Sequence, residues 1–73
     1  MSQLVECVPN FSEGQDERKI LEITNTIKEV QGITLLDVDP GPDTNRTVVT
    51  FVGSVEAIEE AAFRGIQKAA EVI

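Results

Sequence analysis

Three short segments of the chain carry the apolar patterns of β-strands. Residues 4–8 form an apolar run that stops at a proline, which predicts a strand buried on both faces. In residues 33–39 apolar and polar side chains alternate, so that Asp37 and Asp39 are expected on one face. Residues 47–52 are rich in β-branched side chains and end at a glycine, which predicts a third strand.

Two longer segments carry the pattern of helices. Residues 16–30 place isoleucine or valine at intervals of three, four and three residues, which predicts a helix with one apolar face. Asp16 or Ser12 is expected to cap its start, and Gly32 to cap its end. Ser54 predicts the start of a second helix that runs to the last residue. The face of this second helix that is expected to be buried carries Val55, Ile58, Ala62, Ile66, Ala69 and Ile73.

The order of these elements, strand-helix-strand-strand-helix, predicts an α+β fold. It matches the ferredoxin-like split β-α-β arrangement, βαββα, with a three-stranded sheet, two helices on one face and the final strand missing. The third strand then lies antiparallel between the first two. One domain is expected over residues 1–73, truncated at its C-terminal end.

Two apolar surfaces of this fold lack a cover. Residues 4–8 would form an exposed edge, because the strand that pairs beside them is missing. The sheet face away from the helices would carry Leu35 and one alternating set of side chains from the first and third strands. A homodimer, a following domain, or both are expected to cover these surfaces. The isolated chain is therefore expected to self-associate or to be only marginally folded.

Residues 37–46, Asp-Val-Asp-Pro-Gly-Pro-Asp-Thr-Asn-Arg, are the densest in rigid and polar residues. They form either a wide turn between strands or a loop that binds a ligand. The predicted topology brings them to the same edge of the sheet as the loop of residues 9–14, which favours a ligand site. In that second loop, Phe11 is expected either to pack under the helix or to line a pocket.

Composition narrows the classes of function. The chain has thirteen acidic and six basic residues and a net charge of −7, which argues against binding nucleic acid. It contains no histidine, so acid-base chemistry would use carboxylates or a group from elsewhere. The single cysteine, Cys7, is expected to be a small buried hydrophobe in a reducing compartment. With no signal peptide and no apolar span, the protein is expected to be cytoplasmic and to bind no membrane.

A metal site is the least supported interpretation. Asp37, Asp39 and Asp43 could supply oxygen ligands, but prolines interrupt the regular ligand spacing of a calcium loop. There is no cysteine pair and no zinc spacing, so no metal is predicted.

Two segments resemble the N-terminal part of the formiminotransferase family. They read Leu-Val-Glu-Cys-Val-Pro-Asn-Phe-Ser-Glu-Gly at 4–14 and Leu-Leu-Asp-Val-Asp-Pro-Gly-Pro-Asp-Thr-Asn-Arg-Thr-Val at 35–48, and Thr-Phe-Val-Gly-Ser at 50–54 extends the match. The resemblance implies the N-terminal subdomain of an enzyme that transfers a formimino group from N-formiminoglutamate to its co-substrate tetrahydrofolate in histidine degradation. It also implies that the folate lies in a cleft between two such subdomains and that the enzyme is a homodimer.

The resemblance implies roles for four residues of this chain. Asp39 matches an aspartate that orients and polarises a catalytic histidine. Asn10, Asn45 and Arg46 match polar positions beside the substrate and folate cleft. The family's histidine follows the second helix in a His-Pro-Arg context, and this sequence stops before it. Two hypotheses therefore remain: a piece of an enzyme that is inactive alone, or a truncated, non-catalytic relative that acts as an interaction or dimerisation module.

Overall fold

The computed structural model describes residues 3–73, so Met1 and Ser2 of the predicted domain lie outside the described residues. The fold is α+β, as predicted, with two helices and one antiparallel sheet. In chain order the elements are β1 (Val5–Cys7), β2 (Asn10–Phe11), α1 (Glu17–Lys28), β3 (Thr34–Gly41), β4 (Arg46–Gly53) and α2 (Val55–Val72).

β4 lies at the centre of the sheet. β3 pairs with one side of β4, while β1 and β2 pair with the other side, and all three pairings are antiparallel. The structure thus agrees with the prediction that the third predicted strand lies between the other two. Residues 3–73 contain no further strand beside β1, so the complete ferredoxin-like topology remains a prediction.

The prediction of a three-stranded sheet was wrong, because Asn10–Phe11 is a strand and not part of a loop. β2 continues the register of β1 unchanged past the two residues between them. Pro9 lacks the N–H group of a ladder bond, but its carbonyl accepts a hydrogen bond from the N–H of Val49 at 3.0 Å. Proline is tolerated at this position because β1 and β2 form an edge of the sheet.

The predicted loop of residues 37–46 is mostly strand. β3 continues to Gly41 and β4 begins at Arg46, so that only residues 42–45 connect them. Pro40 lies inside β3, which is an edge strand because it pairs with β4 alone. Within residues 3–73, no second strand lies beside it that would need a hydrogen bond from the N–H that proline lacks. The wide turn is therefore a tight hairpin connection.

A β-bulge at Leu36 changes which side chains of β3 face the helices. The pairing of β3 with β4 shifts by one residue between Leu35 and Asp37. Leu35 pairs with Phe51 and packs against the core, so its expected place on the other face was wrong. Asp37 and Asp39 do share one face, as predicted, because both lie beyond the bulge.

The two helices pack together on one face of the sheet and enclose the core. Alternate residues of β4, namely Thr47, Val49 and Phe51, are buried beneath them. Phe11 also lies in this core, which agrees with the expectation that it packs under the helix. The core cluster comprises Phe11, Ile23, Ile27, Val30, Val49, Phe51, Ala57 and Ala61.

The prediction that the first strand is buried on both faces was wrong. Val5 and Cys7 are half-buried, whereas Leu4, Glu6 and Val8 are exposed. Only one side of this edge strand faces the helices, so alternate side chains are left in solvent. The apolar residues 4–8 therefore lie at an edge of the sheet that no other described residues cover.

Polar side chains cap the starts of both helices, as predicted. A carboxylate oxygen of Asp16 accepts hydrogen bonds from the backbone N–H groups that open α1, and Ser54 accepts one from Ala57 in α2. α1 ends earlier than expected, with Glu29 as its C-terminal cap. Gly32 does not cap the helix, but its φ of 90° shapes the turn into β3.

The predicted apolar face of α2 was only partly right, because Ile58 and Ala69 pack against the core but are only half-buried. Ala57, Ala61 and Gly65 are the buried residues of this helix, while Val55, Ile66 and Ile73 are exposed. Small residues are needed on the buried face because α1 passes close by. A Cβ atom at Gly65 would lie 3.1 Å from the side chain of Ile27. Over residues 3–73, no helix is both long enough and apolar enough to cross a membrane.

Candidate functional site

Asn10 and Asp39 flank the same residue on the sheet face away from the helices, which we call the open face. Both pair with Val48 of β4, Asn10 from β2 and Asp39 from β3. Residues paired directly across a sheet point to the same face, and the neighbours of Val48 along β4 are buried under the helices. The side chains of Asn10 and Asp39 therefore lie on the open face, about 10 Å apart across two strand spacings.

Arg46 extends this group along β4. It lies two residues before Val48, which places it on the same face at about 7 Å along the strand. Asn10, Asp39 and Arg46 are all exposed and Val48 is half-buried. We call these four residues the open-face patch. It combines an amide, a carboxylate and a guanidinium above an apolar floor, so it can accept and donate hydrogen bonds and bind a carboxylate.

Asp37 lies on the open face but farther from the hairpin. It pairs with Thr50, which is two residues beyond Val48 in β4. Asp43, in contrast, lies in the exposed connection of residues 42–45. The two carboxylates of β3 thus differ from Asp43 in being fixed by strand pairing.

The two loops that were expected to converge are joined by hydrogen bonds. The N–H of Gly14 donates to Oδ1 of Asn45 at 3.0 Å, and Nε2 of Gln15 donates to the carbonyl of Pro42 at 3.0 Å. The hydroxyl of Thr47 donates to the carbonyl of Glu13. The segment that follows β2 is therefore fastened to the end of the β3–β4 hairpin.

Asn45 differs from the other three predicted site residues in its surroundings. Its side-chain oxygen accepts a hydrogen bond from the N–H of Gly14, and its backbone adopts a positive φ of 56°. Asparagine tolerates this left-handed conformation better than most residues. The structure thus brings Asn10, Asp39 and Arg46 together on one face, and gives Asn45 a contact between the two loops.

The residues that join the two loops were not predicted from the sequence. Among the glycines of the described residues, only Gly32 has a positive φ, so backbone conformation does not account for Gly14. Gly14 is instead required by close approach, because a Cβ atom there would lie 2.6 Å from the N of Arg46 and the O of Gly41. Thr47 has the sequence pattern of an ordinary strand residue, so nothing in the sequence indicated its hydrogen bond to Glu13.

Cys7 lies on the opposite face of the sheet from the patch. It pairs with Phe51 and packs against the core. Burial raises the pKa of its thiol above the ordinary value of 9.0, partly offset by a hydrogen bond with the backbone of Val8. The thiol is therefore protonated at neutral pH. Cys7 packs as a small hydrophobe, as expected, but it is half-buried rather than buried.

Potential metal ligands do not cluster in the part of the chain that the structure describes. Residues 3–73 contain no group of three or more His, Cys, Asp or Glu side chains that could hold a metal ion.

Comparison with known proteins identifies the family. The model of the formiminotransferase domain, N-terminal subdomain, matches residues 4–73. The chain is 53% identical over 73 residues to the formimidoyltransferase-cyclodeaminase of Mus musculus, covering all of this chain and 14% of that protein. It is 49% identical over 70 residues to the glutamate formimidoyltransferase of Thermoplasma acidophilum, covering 96% of this chain and 23% of that protein.

A second glutamate formimidoyltransferase, from Streptococcus pyogenes, is 45% identical over 73 residues, which are all of this chain and 24% of that protein. The chain therefore spans less than a quarter of the length of each of these relatives. The match to the family model nevertheless covers nearly every residue. The chain belongs to the formiminotransferase family, in which it corresponds to the N-terminal subdomain of the transferase domain.

Proposed function

We propose that this chain is the N-terminal subdomain of a glutamate formimidoyltransferase that transfers a formimino group from N-formiminoglutamate to tetrahydrofolate. The match of the family model to residues 4–73 carries the proposal. The open-face patch supports it, because Asn10, Asp39 and Arg46 are three of the four positions at which the family resemblance implies a site. Histidine degradation is the proposed metabolic setting.

Transfer of a formimino group requires two proton movements. An amine nitrogen of tetrahydrofolate attacks the formimino carbon and loses a proton, and the glutamate nitrogen gains a proton as its bond to that carbon breaks. A group with a pKa near neutrality serves both steps best, and this chain contains no histidine. We therefore assign the acid-base group to the remainder of the enzyme.

The residues of this chain have supporting roles in that reaction. Asp39, held in β3, accepts a hydrogen bond from the catalytic histidine and so fixes its orientation and stabilises its charged form. Arg46 donates paired hydrogen bonds to a substrate carboxylate, a group that both glutamate and folate carry. Asn10 donates to or accepts from polar atoms of the same ligand.

We also propose that the open face and the β1 edge are covered in the complete protein. Exposed apolar side chains on the edge, Leu4 and Val8, support a cover by the second subdomain, by a second copy in a homodimer, or by both. A cytoplasmic location is proposed because the chain has a single cysteine and hence no internal disulfide.

Assay of the complete product of the gene that encodes this chain tests the proposal. Incubation with N-formiminoglutamate and tetrahydrofolate should transfer the formimino group, whereas the 73-residue chain alone should be inactive because it lacks histidine. A complete product that has no activity, or a gene that ends at this chain's last codon, would contradict the proposal. That result would support the second candidate, a non-catalytic interaction or dimerisation module.

A further inference from the structure

The contact between Gly14 and Asn45 joins two distant parts of the chain beside the open-face patch. The hydrogen bond from the Gly14 N–H to Asn45 Oδ1 is 3.0 Å long and links residues 31 positions apart. Gly14 is buried, although the loop around it is largely exposed. A buried backbone N–H needs an acceptor, and here the acceptor is a side chain rather than a strand.

The backbone of Arg46 lies directly against this contact. The would-be Cβ atom of Gly14 lies 2.6 Å from the N and 2.7 Å from the O of Arg46, so the two backbones touch with no room for a side chain. Asn45 immediately precedes Arg46 and has the only positive φ among the described residues other than glycine. Such a conformation persists where the surrounding structure stabilises it, and the bond from Gly14 does so here.

Arg46 would otherwise be weakly held. It forms the pair of the β3–β4 ladder that is nearest the hairpin, opposite Gly41, and the connection of residues 42–45 that precedes it is exposed. Strand ends at a hairpin open more readily than the centre of a ladder. Gly14, in the segment after β2, packs against the backbone of Arg46 and so restrains this end of the hairpin from outside.

From these contacts we infer that Asn45 and Gly14 are positioning residues for Arg46, and that through Arg46 they set the affinity for the carboxylate of the substrate. The inference rests on the proposed function, since it assigns Arg46 to carboxylate binding. Asn45 then acts without touching the substrate. The family resemblance, in contrast, suggests that Asn45 lines the substrate and folate cleft.

The test uses Asn45→Gly in the complete gene product. Glycine keeps the left-handed backbone conformation but removes the acceptor, so the variant isolates the hydrogen bond. We expect the KM for the carboxylate substrate to rise about threefold to tenfold, within the range of coupling between contacting residues, with kcat nearly unchanged. Thr44→Val is the matched control, because it removes a hydrogen bond of 3.2 Å to Gly41 within the same hairpin connection.

A double variant separates positioning from a direct or a general structural role. Arg46→Ala alone should raise KM by about tenfold or more through loss of a charged hydrogen bond. If Asn45 acts through Arg46, adding Asn45→Gly to Arg46→Ala should raise KM no further. An additional increase of the same size as in the single variant would overturn the inference, as would an unchanged KM in Asn45→Gly.

Amide hydrogen exchange reads the contact without an activity assay. The Gly14 amide should exchange faster in Asn45→Gly than in the wild type, and Asn45→Asp, which keeps an acceptor oxygen, should restore its protection. Equal exchange in all three proteins would overturn the inference. Failure of the wild-type enzyme to transfer the formimino group would instead reject the proposed function, so the two failures are distinguishable.

Discussion

Asn10 and Asp39 lie on opposite sides of Val48, each paired with it across the sheet. They belong to the two edge strands of the sheet, yet they share a face because the register on both sides of β4 places them on the same row. A shift of one residue in either strand would turn its side chain toward the helices. The bulge at Leu36 therefore matters for the site, since it sets the register of β3 from Asp37 onward.

Removal of a core aromatic side chain should destabilise the isolated chain. Phe51 is fully buried in β4, the central strand, and Phe51→Ala should lower the free energy of unfolding by about 3–5 kcal/mol. Phe63 on α2 is 65% exposed, so Phe63→Ala is a control expected to change it by about 0.5 kcal/mol or less. Thermal or urea denaturation followed by circular dichroism measures both. Equal losses in the two variants would mean that the core is placed incorrectly.

The thiol of Cys7 should make the stability of the fold depend on pH in the alkaline range. Burial raises the pKa of the thiol in the folded protein above its value in the unfolded chain. The stabilisation is thus complete below the unfolded pKa, near the ordinary 9.0, and is lost as the pH rises through the folded pKa. The free energy of unfolding should therefore fall more steeply above that pH in the wild type than in Cys7→Ala. Identical pH profiles would show that the thiol is not desolvated.

The β1 edge should drive self-association of the isolated chain. Leu4 and Val8 are 73% and 52% exposed beside an edge strand that has no outer neighbour in the described residues. Lysine on an edge strand opposes pairing between copies, so Leu4→Lys with Val8→Lys should reduce association in sedimentation experiments. Leu21→Lys is the control, because Leu21 on α1 is similarly exposed at 57%. A wild-type chain that sediments as a monomer would contradict the prediction.

Local rules predicted the elements that depend on one segment at a time. The spacing of Ile20, Ile23 and Ile27 predicted α1, and Asp16 and Ser54 were identified as caps because their chemistry acts within one turn. The shared face of Asp37 and Asp39 followed from strand alternation, since both lie beyond the bulge.

Features that depend on contacts between distant segments escaped the sequence analysis. The bulge that turned Leu35 inward is a property of its pairing with β4. α2 carries apolar residues on most of its circumference, so only the close approach of α1 selects the alanine and glycine face. The hydrogen bond from Gly14 to Asn45 joins residues far apart in sequence, and no local sequence pattern predicts it.

Exchange of one carboxylate for an amide at the open-face patch tests the central claim most directly. In the complete gene product, Asp39→Asn should keep the melting temperature but lower turnover by a factor on the order of 10²–10⁴, because an amide presents the wrong partner to the catalytic histidine. Asp43→Asn makes the same change in the exposed hairpin connection and should leave turnover nearly unchanged. Turnover of Asp39→Asn equal to the wild type, or a loss confined to Asp43→Asn, would contradict the assignment of the site to the open face.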